Sequence, residues 1–407
     1  MSGTATGLGR GGAFEGLKVV ELAQLIAAPM AGSLLADLGA DVVHVEMPDV
    51  GDPQRVTGVE KDGVHLWWKV SGRNKRSVTL DLGSESGQGV ARRLIEWADV
   101  VITNFRPPAL TKWGLDWESA HALNPRLIML HVSGYGLDTS KRDEPGFGKV
   151  GEAMSGVVHL TGDPNGPPTH TGFSHGDATT GLFGAFSIGA ALYRRASDQH
   201  FEGELIDLAL FEALFRINEW QVIVFDQLGV PPMRAGNRLA NAPAAVINTY
   251  LTSDDVWLTV TSGTPKSVRK IAALLNEPAE DYDTKAKQWD RRDHLDDLLR
   301  KFVSERIATD NLKVMQECEV VASRVYDVAD IVSDPTYIER QDVIILDDPD
   351  LGKVRMPAVL PKLKNYPGAV WRTGASLGQD NDLVFREYLG LSDDEIADVT
   401  AGAGSSS

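Results

Sequence analysis

Three short segments near the N-terminus constrain the fold more than anything else in the chain. "LKVVEL" is a β-rich run, "APMAGSLLADLGA" has helical periodicity, and "DVVHVEM" is a second buried run. Strand, helix and strand in that order, with strands almost continuously apolar, call for a right-handed crossover between parallel strands. The pattern recurs with "KRSVTLDL" as strand, "GQGVARRLIEWA" as helix, and "DVVITNF" as strand. "PRLIMLHVSGYG" is a further strand ending in a glycine turn. A helix is expected from Gly176 to about Arg195, then "GELIDLAL" as a strand entering a helix near Glu212. The expected class is α/β: a Rossmann-like large domain with a parallel sheet, and helices on its faces.

A chain of 407 residues exceeds one ordinary core. Composition changes near Val230-Pro231-Pro232, and "AAVINTYLTSDDVWLTVTS" reads as two strands around the turn Ser253-Asp254-Asp255. Charged helices follow in "SVRKIAALL" and "HLDDLLRKFVSE". The expected division is a flexible tail at 1–15, a large domain at 16–227, a smaller α+β domain at 228–332, a return to the large domain at 333–400, and a disordered tail at 401–407.

Composition excludes several function classes. A formal charge of −17 argues against general binding of nucleic acid or anionic membranes, though a local cationic cluster can still hold an anionic ligand. The most apolar segment, Gly181 to Tyr193, is too short to span a bilayer, and "MSGTATGLGRGGAFEG" lacks the apolar core of a signal peptide. The one cysteine, Cys318, permits no internal disulfide and fits a reducing cytoplasm. Its acidic setting, "VMQECEVVA", disfavours a thiolate nucleophile. The nine histidines form no close metal-binding pair, so no metal site is expected.

Two familiar motifs fail on context. The loop after "LKVVEL" is "AQLIAAPM"; it contains no glycine, so a dinucleotide pyrophosphate cannot approach its backbone, and "GLGRGG" precedes the strand instead of following it. "GFSHG" spells G-x-S-x-G around Ser174, yet the polar run "GDPNGPPTHT" before it cannot be the central strand that a nucleophile elbow requires. Asp177, three residues on, opens the long apolar helix. Its structural reading is an N-cap that accepts backbone N–H bonds. Its functional reading is a carboxylate kept anionic by the helix end, able to attack a thioester beside the permissive Gly176.

The order of seven blocks decides between these readings. "GLKVVELAQLIAAPMAGSLLADLGADVVHVEMPDVGDPQR", "GRNKRSVTLDL", "NFRPPALTKWGL", "NPRLIMLHVSGYG", "PGFGKVGEAMSGVVHLTGDPNGPP", "HGDATTGLFGAFSIGAALYRR" and "LGQDNDLVFREYLGLSDDEI" resemble, in sequence and order, the family III CoA-transferases, the CaiB/BaiF group. The resemblance runs from Leu17 to about Thr400. It implies a Rossmann-like large domain built from both chain ends, a small central domain, and an interlocked homodimer, with pairing to a paralogue as the other possibility. It implies acyl-CoA and a carboxylic acid as substrates and no permanently bound cofactor. The catalytic aspartate of the family matches Asp177. Asn104 and Phe105 match the pair beside CoA, Lys112 a base that meets its phosphates, Leu80 the adenine region, and Ile26 and Ala27 the loop after the first strand. Arg73, Lys75 and Arg76 of "GRNKRS" offer a local basic patch, and Gly134-Tyr135-Gly136 a source of oxyanion donors.

Two positions depart from the pattern. Met47 stands where the family usually has Lys or Arg after the strand-ending glutamate, so that this contact is either missing or replaced by Arg55, and Gly83 stands where Lys is frequent. The expected activity is CoA transfer through an aspartyl anhydride and an aspartyl-CoA thioester, possible donors including succinyl-CoA. The alternatives are a 2-methylacyl-CoA racemase and a non-catalytic CoA-binding subunit. The racemases that resemble this chain carry a His-Asp pair where it has Phe147-Gly148, and Phe147 cannot exchange a proton.

Overall fold

A computed structural model describes residues 11–239 and 246–400. The chain divides into two compact units. Among the described residues, one comprises 11–155, 171–217 and 336–400, and the other 156–170, 218–239 and 246–335. The smaller unit therefore begins ahead of the expected 228 and takes in a short excursion from the N-terminal half.

The larger unit is built on β1 (Lys18–Leu22), α1 (Ala27–Asp37), β2 (Asp41–Glu46), β3 (Lys75–Thr79), α2 (Glu85–Trp97), β4 (Val100–Thr103), α3 (Pro107–Trp113), β5 (Ile128–Ser133), α4 (Gly148–Met154), α5 (His175–Ser197) and β6 (Glu204–Ala209). The six strands form one parallel sheet in the order β3-β2-β1-β4-β5-β6. This is the doubly wound Rossmann order, and the expected α/β class with its parallel sheet is what the chain adopts. Strand residues alternate between two cores. Val20, Leu22, Val43 and Val78 pack toward α2, with Val90 and Leu94. Val19, Val42, Val100 and Leu130 pack toward α1 and α5, with Ala28, Ala31 and Ile188.

The C-terminal segment contributes a hairpin, β10 (Val343–Asp348) with β11 (Gly352–Pro357). It also places Val384 and Phe385 in the α2-side core. Part of the expected N-terminal tail is ordered: Gly12 bridges Pro367 and Phe14 donates its N–H to Leu38 O at 2.8 Å. A Cβ on Gly12 would meet Leu38 O at 1.9 Å, so glycine permits this approach. Residues 1–10 and the tail at 401–407 lie outside the described residues.

The smaller unit holds a three-stranded antiparallel sheet, with β8 (Trp257–Ser262) between β7 (Val246–Leu251) and β9 (Val321–Arg324). Its core gathers Tyr250, Leu258, Val260, Ile271, Tyr282 and Leu299. Buried Asp296 accepts from the Tyr250 hydroxyl at 2.7 Å and pairs with Arg300 at 2.9 Å. Among the described residues no helix is long and apolar enough to cross a membrane.

Candidate active site

In a doubly wound sheet the strand order reverses between β1 and β4, and the loops leaving their C-terminal ends part to open a crevice. A cavity among the described residues lies there. It has a volume of about 670 Å³, within the range of small-molecule sites. Its walls include the loop after β1 (Gln24–Ala27), the loop after β4 with the start of α3 (Asn104–Ala109 and Lys112), the end of β5 (Val132–Gly134), Arg142 with Glu144–Phe147, and Asp177. Ile26, Ala27, Asn104, Phe105, Lys112 and Asp177, which the resemblance assigned to one site, all line this cavity.

Glycines set the position of Asp177. α5 crosses α1 closely because Gly181 has no Cβ to meet Met30 Cβ, which it would approach to 2.5 Å, and lies close on the sheet because a Cβ on Gly184 would stand 2.7 Å from Leu130 Cδ2 of β5. The crossing draws the start of α5 toward the start of α1. There a Cβ on Gly148 would fall 2.2 Å from Asp177 Oδ2, and one on Gly176 2.6 Å from Gly148 O. Only residues without side chains let α4 meet α5 with the carboxylate between them.

Asp177 is not the N-cap. Ser174 holds that position, without a side-chain capping bond, and Asp177 lies within the first turn. Its electrostatics also run opposite to the expectation. Burial pushes the carboxyl up, the Glu152 carboxylate adds to this, and Lys149 offsets part of it, leaving a pKa raised to about 6. Glu152 is 1% exposed. It accepts the Gly176 N–H at 3.1 Å and both its oxygens lie 3.0 Å from Lys149 Nζ, which also donates to Thr171 O and Phe173 O. The sequence reading missed Glu152 and Lys149. Their i,i+3 spacing beside a glycine-rich helix start was the available signal.

The Asn104 side chain is spent on the facing loop: Oδ1 accepts the Gln24 N–H at 2.9 Å and Nδ2 donates to Gln24 O at 2.8 Å. Asn104 therefore holds the two cavity loops in register. Phe105 packs edge-on against Trp113, and its carbonyl lies 2.9 Å from Nε2 of His131, whose pKa burial lowers. Lys112, Arg106 and Arg142 bring positive charge to the wall and Glu144 negative.

The basic patch is placed elsewhere. Arg73 is buried in a two-pronged pair with Asp37, at 3.1 and 2.5 Å. Lys75 is buried 2.9 Å from Glu21, and Arg76 lies 2.7 Å from Asp41. Strand register turns these side chains onto acidic partners, so "GRNKRS" presents no open cationic surface. Leu80, 1% exposed, belongs to the α2-side core. Arg55, expected in place of the missing base at Met47, pairs with Glu46 at 2.5 and 2.7 Å and stacks on Trp68. Of the proposed oxyanion donors, Gly136 gives its N–H to Ser133 Oγ at 2.8 Å, whereas Gly134 lies on the cavity wall.

A family model, CoA-transferase family III, matches residues 14–381. The chain belongs to CoA-transferase family III. Among the similar family members is a succinyl-CoA–D-citramalate CoA-transferase of Chloroflexus aurantiacus, 38% identical, with 95% of this chain and 96% of that one covered. The beta subunit of a succinyl-CoA–L-malate CoA-transferase from the same organism is 34% identical, with 98% of each covered. A crystal structure of a CaiB/BaiF family protein from Brucella suis superposes with a TM-score of 0.81 at 30% identity, covering 92% of this chain and 99% of that one. As a family III enzyme this chain transfers CoA between carboxylic acids.

Proposed function

We propose that Asp177 is the nucleophile of a ping-pong transfer of CoA from succinyl-CoA to a hydroxylated dicarboxylic acid. The observation that carries this reading is a carboxylate with pKa near 6, opening onto a switch-point cavity whose other walls hold Asn104, Phe105 and Lys112. At neutral pH that group is anionic yet more nucleophilic than an ordinary aspartate. Its oxygen attacks the thioester carbonyl, expels CoA thiolate and forms a mixed anhydride. The thiolate attacks the Asp177 carbonyl, releasing the donor acid and leaving an aspartyl-CoA thioester. The acceptor carboxylate displaces CoA through a second anhydride. Thiolate attack on the acceptor carbonyl then frees the new acyl-CoA and restores Asp177.

In this reading Ile26, Ala27 and Phe105 line the path of the CoA arm, Lys112 meets phosphate, and Arg106 and Arg142 supply the positive charge that Met47 does not. The similarity to enzymes named for citramalate and malate supports the acceptor class. Assembly as an interlocked homodimer is supported by an apolar face left open on α5, where Leu182, Phe186 and Tyr193 are more than half exposed. Similarity to a beta subunit makes pairing with a paralogue the second form. A cytoplasmic enzyme acting on soluble CoA thioesters is the corresponding setting. The test is CoA exchange from succinyl-CoA to a panel of acids. Transfer to C4 and C5 hydroxy-dicarboxylates is expected, and transfer only to monocarboxylic or aromatic acids would refute the acceptor assignment.

A further inference from the structure

The loop after β1 contains no glycine, yet Leu25 takes φ 64°, a left-handed conformation that a branched apolar residue adopts only when held there. What holds it is the Asp52 carboxylate, 2% exposed, which accepts the Leu25 N–H with both oxygens at 3.0 and 3.2 Å. Asp52 is itself fixed from three sides. It accepts the Gln54 N–H at 2.8 Å, its own N–H goes to Glu46 at 2.9 Å, and His44 Nε2 lies 3.3 Å from Oδ2. The chain of charge continues inward. His44 Nδ1 lies 2.6 Å from Glu21, and Lys75 Nζ joins Glu21 at 2.9 Å to Pro29 O of α1 at 2.8 Å.

Lys75, Glu21, His44 and Asp52 thus form a buried line of alternating charge, ending on a backbone amide of the cavity wall. None of the four lines the cavity. Apolar residues would stabilise such an interior as well or better, so the line is better explained by the geometry it imposes than by the stability it adds.

We propose that Asp52 is a positioning residue for acyl-CoA, fixing the Gln24–Leu25 peptide at the cavity wall, with His44, Glu21 and Lys75 locking Asp52 in place. This rests on the reading of the cavity as the CoA site. Removing the acceptor frees Leu25 to leave its left-handed conformation, which withdraws one wall from the CoA arm while Asp177, held between α4 and α5, keeps its own supports.

The experiment compares Asp52→Ala and Asp52→Asn with the unaltered enzyme, measuring Kd for CoA by calorimetry and KM for acyl-CoA, KM for the acceptor and kcat in steady state. Asn retains an oxygen for the Leu25 N–H and Ala does not. Loss of a hydrogen bond to a charged group predicts a rise of about tenfold or more in the Kd for CoA and the KM for acyl-CoA in Asp52→Ala. The acceptor KM and kcat should stay within about threefold, and Asp52→Asn should recover most of the affinity. If the alanine variant does not fold, Asp52→Glu keeps the charge beside His44 but displaces the acceptor from Leu25, and carries the same CoA-specific expectation. CoA affinity unchanged in Asp52→Ala, or equal losses in all parameters with no recovery by Asn, overturns the proposal while leaving the cavity assignment intact. Failure of the unaltered enzyme to bind CoA overturns both.

Discussion

Replacing Glu152 by Gln removes one negative charge beside Asp177 while keeping an oxygen for the Gly176 N–H. The consequence can be sized from the site. The Asp177 carboxyl lies about 2 pH units above its ordinary 3.8, with burial the larger cause and Glu152 the second. Glu152 is thus the smaller of the two raising causes, and the loss of one such neighbouring carboxylate is worth roughly half to one pH unit. Catalysis requires the anion, so the acid limb of kcat/KM, which reports the free enzyme, should move from about 6 down toward about 5 to 5.5. At pH 5 the anionic fraction, and with it kcat/KM, should rise about threefold to fivefold. On the neutral plateau the rate should fall, because a carboxylate of lower pKa is a weaker nucleophile. Lys149→Met provides the opposite sign: without the ammonium, the limb should move up. The assay is a pH profile of CoA exchange from succinyl-CoA for the three proteins. Limbs that do not move, or that move in the same direction in both variants, would refute the assignment of the limb to Asp177 and its two charged neighbours.

The Gly148→Ala substitution would place a methyl group 2.2 Å from Asp177 Oδ2; kcat should fall by about a hundredfold, with the unfolding transition measured alongside to show that the fold persists. Lys112→Ala should raise the KM for acyl-CoA severalfold at low salt and less at high salt, since an exposed cation acts over screened distances; a salt-independent effect would contradict a phosphate contact. His44 carries a pH signature of its own. Burial disfavours its charge, but Glu21, Asp52 and Glu46 outweigh burial and push the pKa up to about 9. A pKa raised on folding means stability that is complete below about 6.5 and is lost as the pH climbs through about 9, at most about 3 kcal/mol. Denaturant unfolding at pH 7 and pH 10 should show this loss in the native protein and a smaller one in His44→Gln.

Much of this site was legible before the structure. The order of apolar strands and helices fixed a parallel sheet, and a parallel sheet puts its crevice at the switch point, where Ile26, Asn104 and Phe105 follow their strands. Asp177 was readable as a carboxylate at a helix start, but its pKa was not. The helix end suggests a lowered value, and only packing reveals that Gly148 and Gly176 admit it into a half-buried space beside Glu152. The basic run Arg73, Lys75 and Arg76 misleads for a related reason. Its partners Asp37, Glu21 and Asp41 are far away in sequence, and only strand register and the α1 crossover turn the cations inward. A linear reading sees three positive charges and no acids near them. The one hint was in the strands themselves: Glu21, His44 and Glu46 interrupt otherwise apolar runs, and an ionisable residue in a buried strand requires a partner.

The central claim is that Asp177 becomes covalently linked during turnover. The most direct measurement is to incubate the enzyme with succinyl-CoA without acceptor, reduce with borohydride, and map the peptide spanning residues 172–195 by mass spectrometry. The account predicts conversion of Asp177 to homoserine, absent without donor and absent in Asp177→Asn. An unmodified peptide from enzyme that nevertheless exchanges CoA would contradict it.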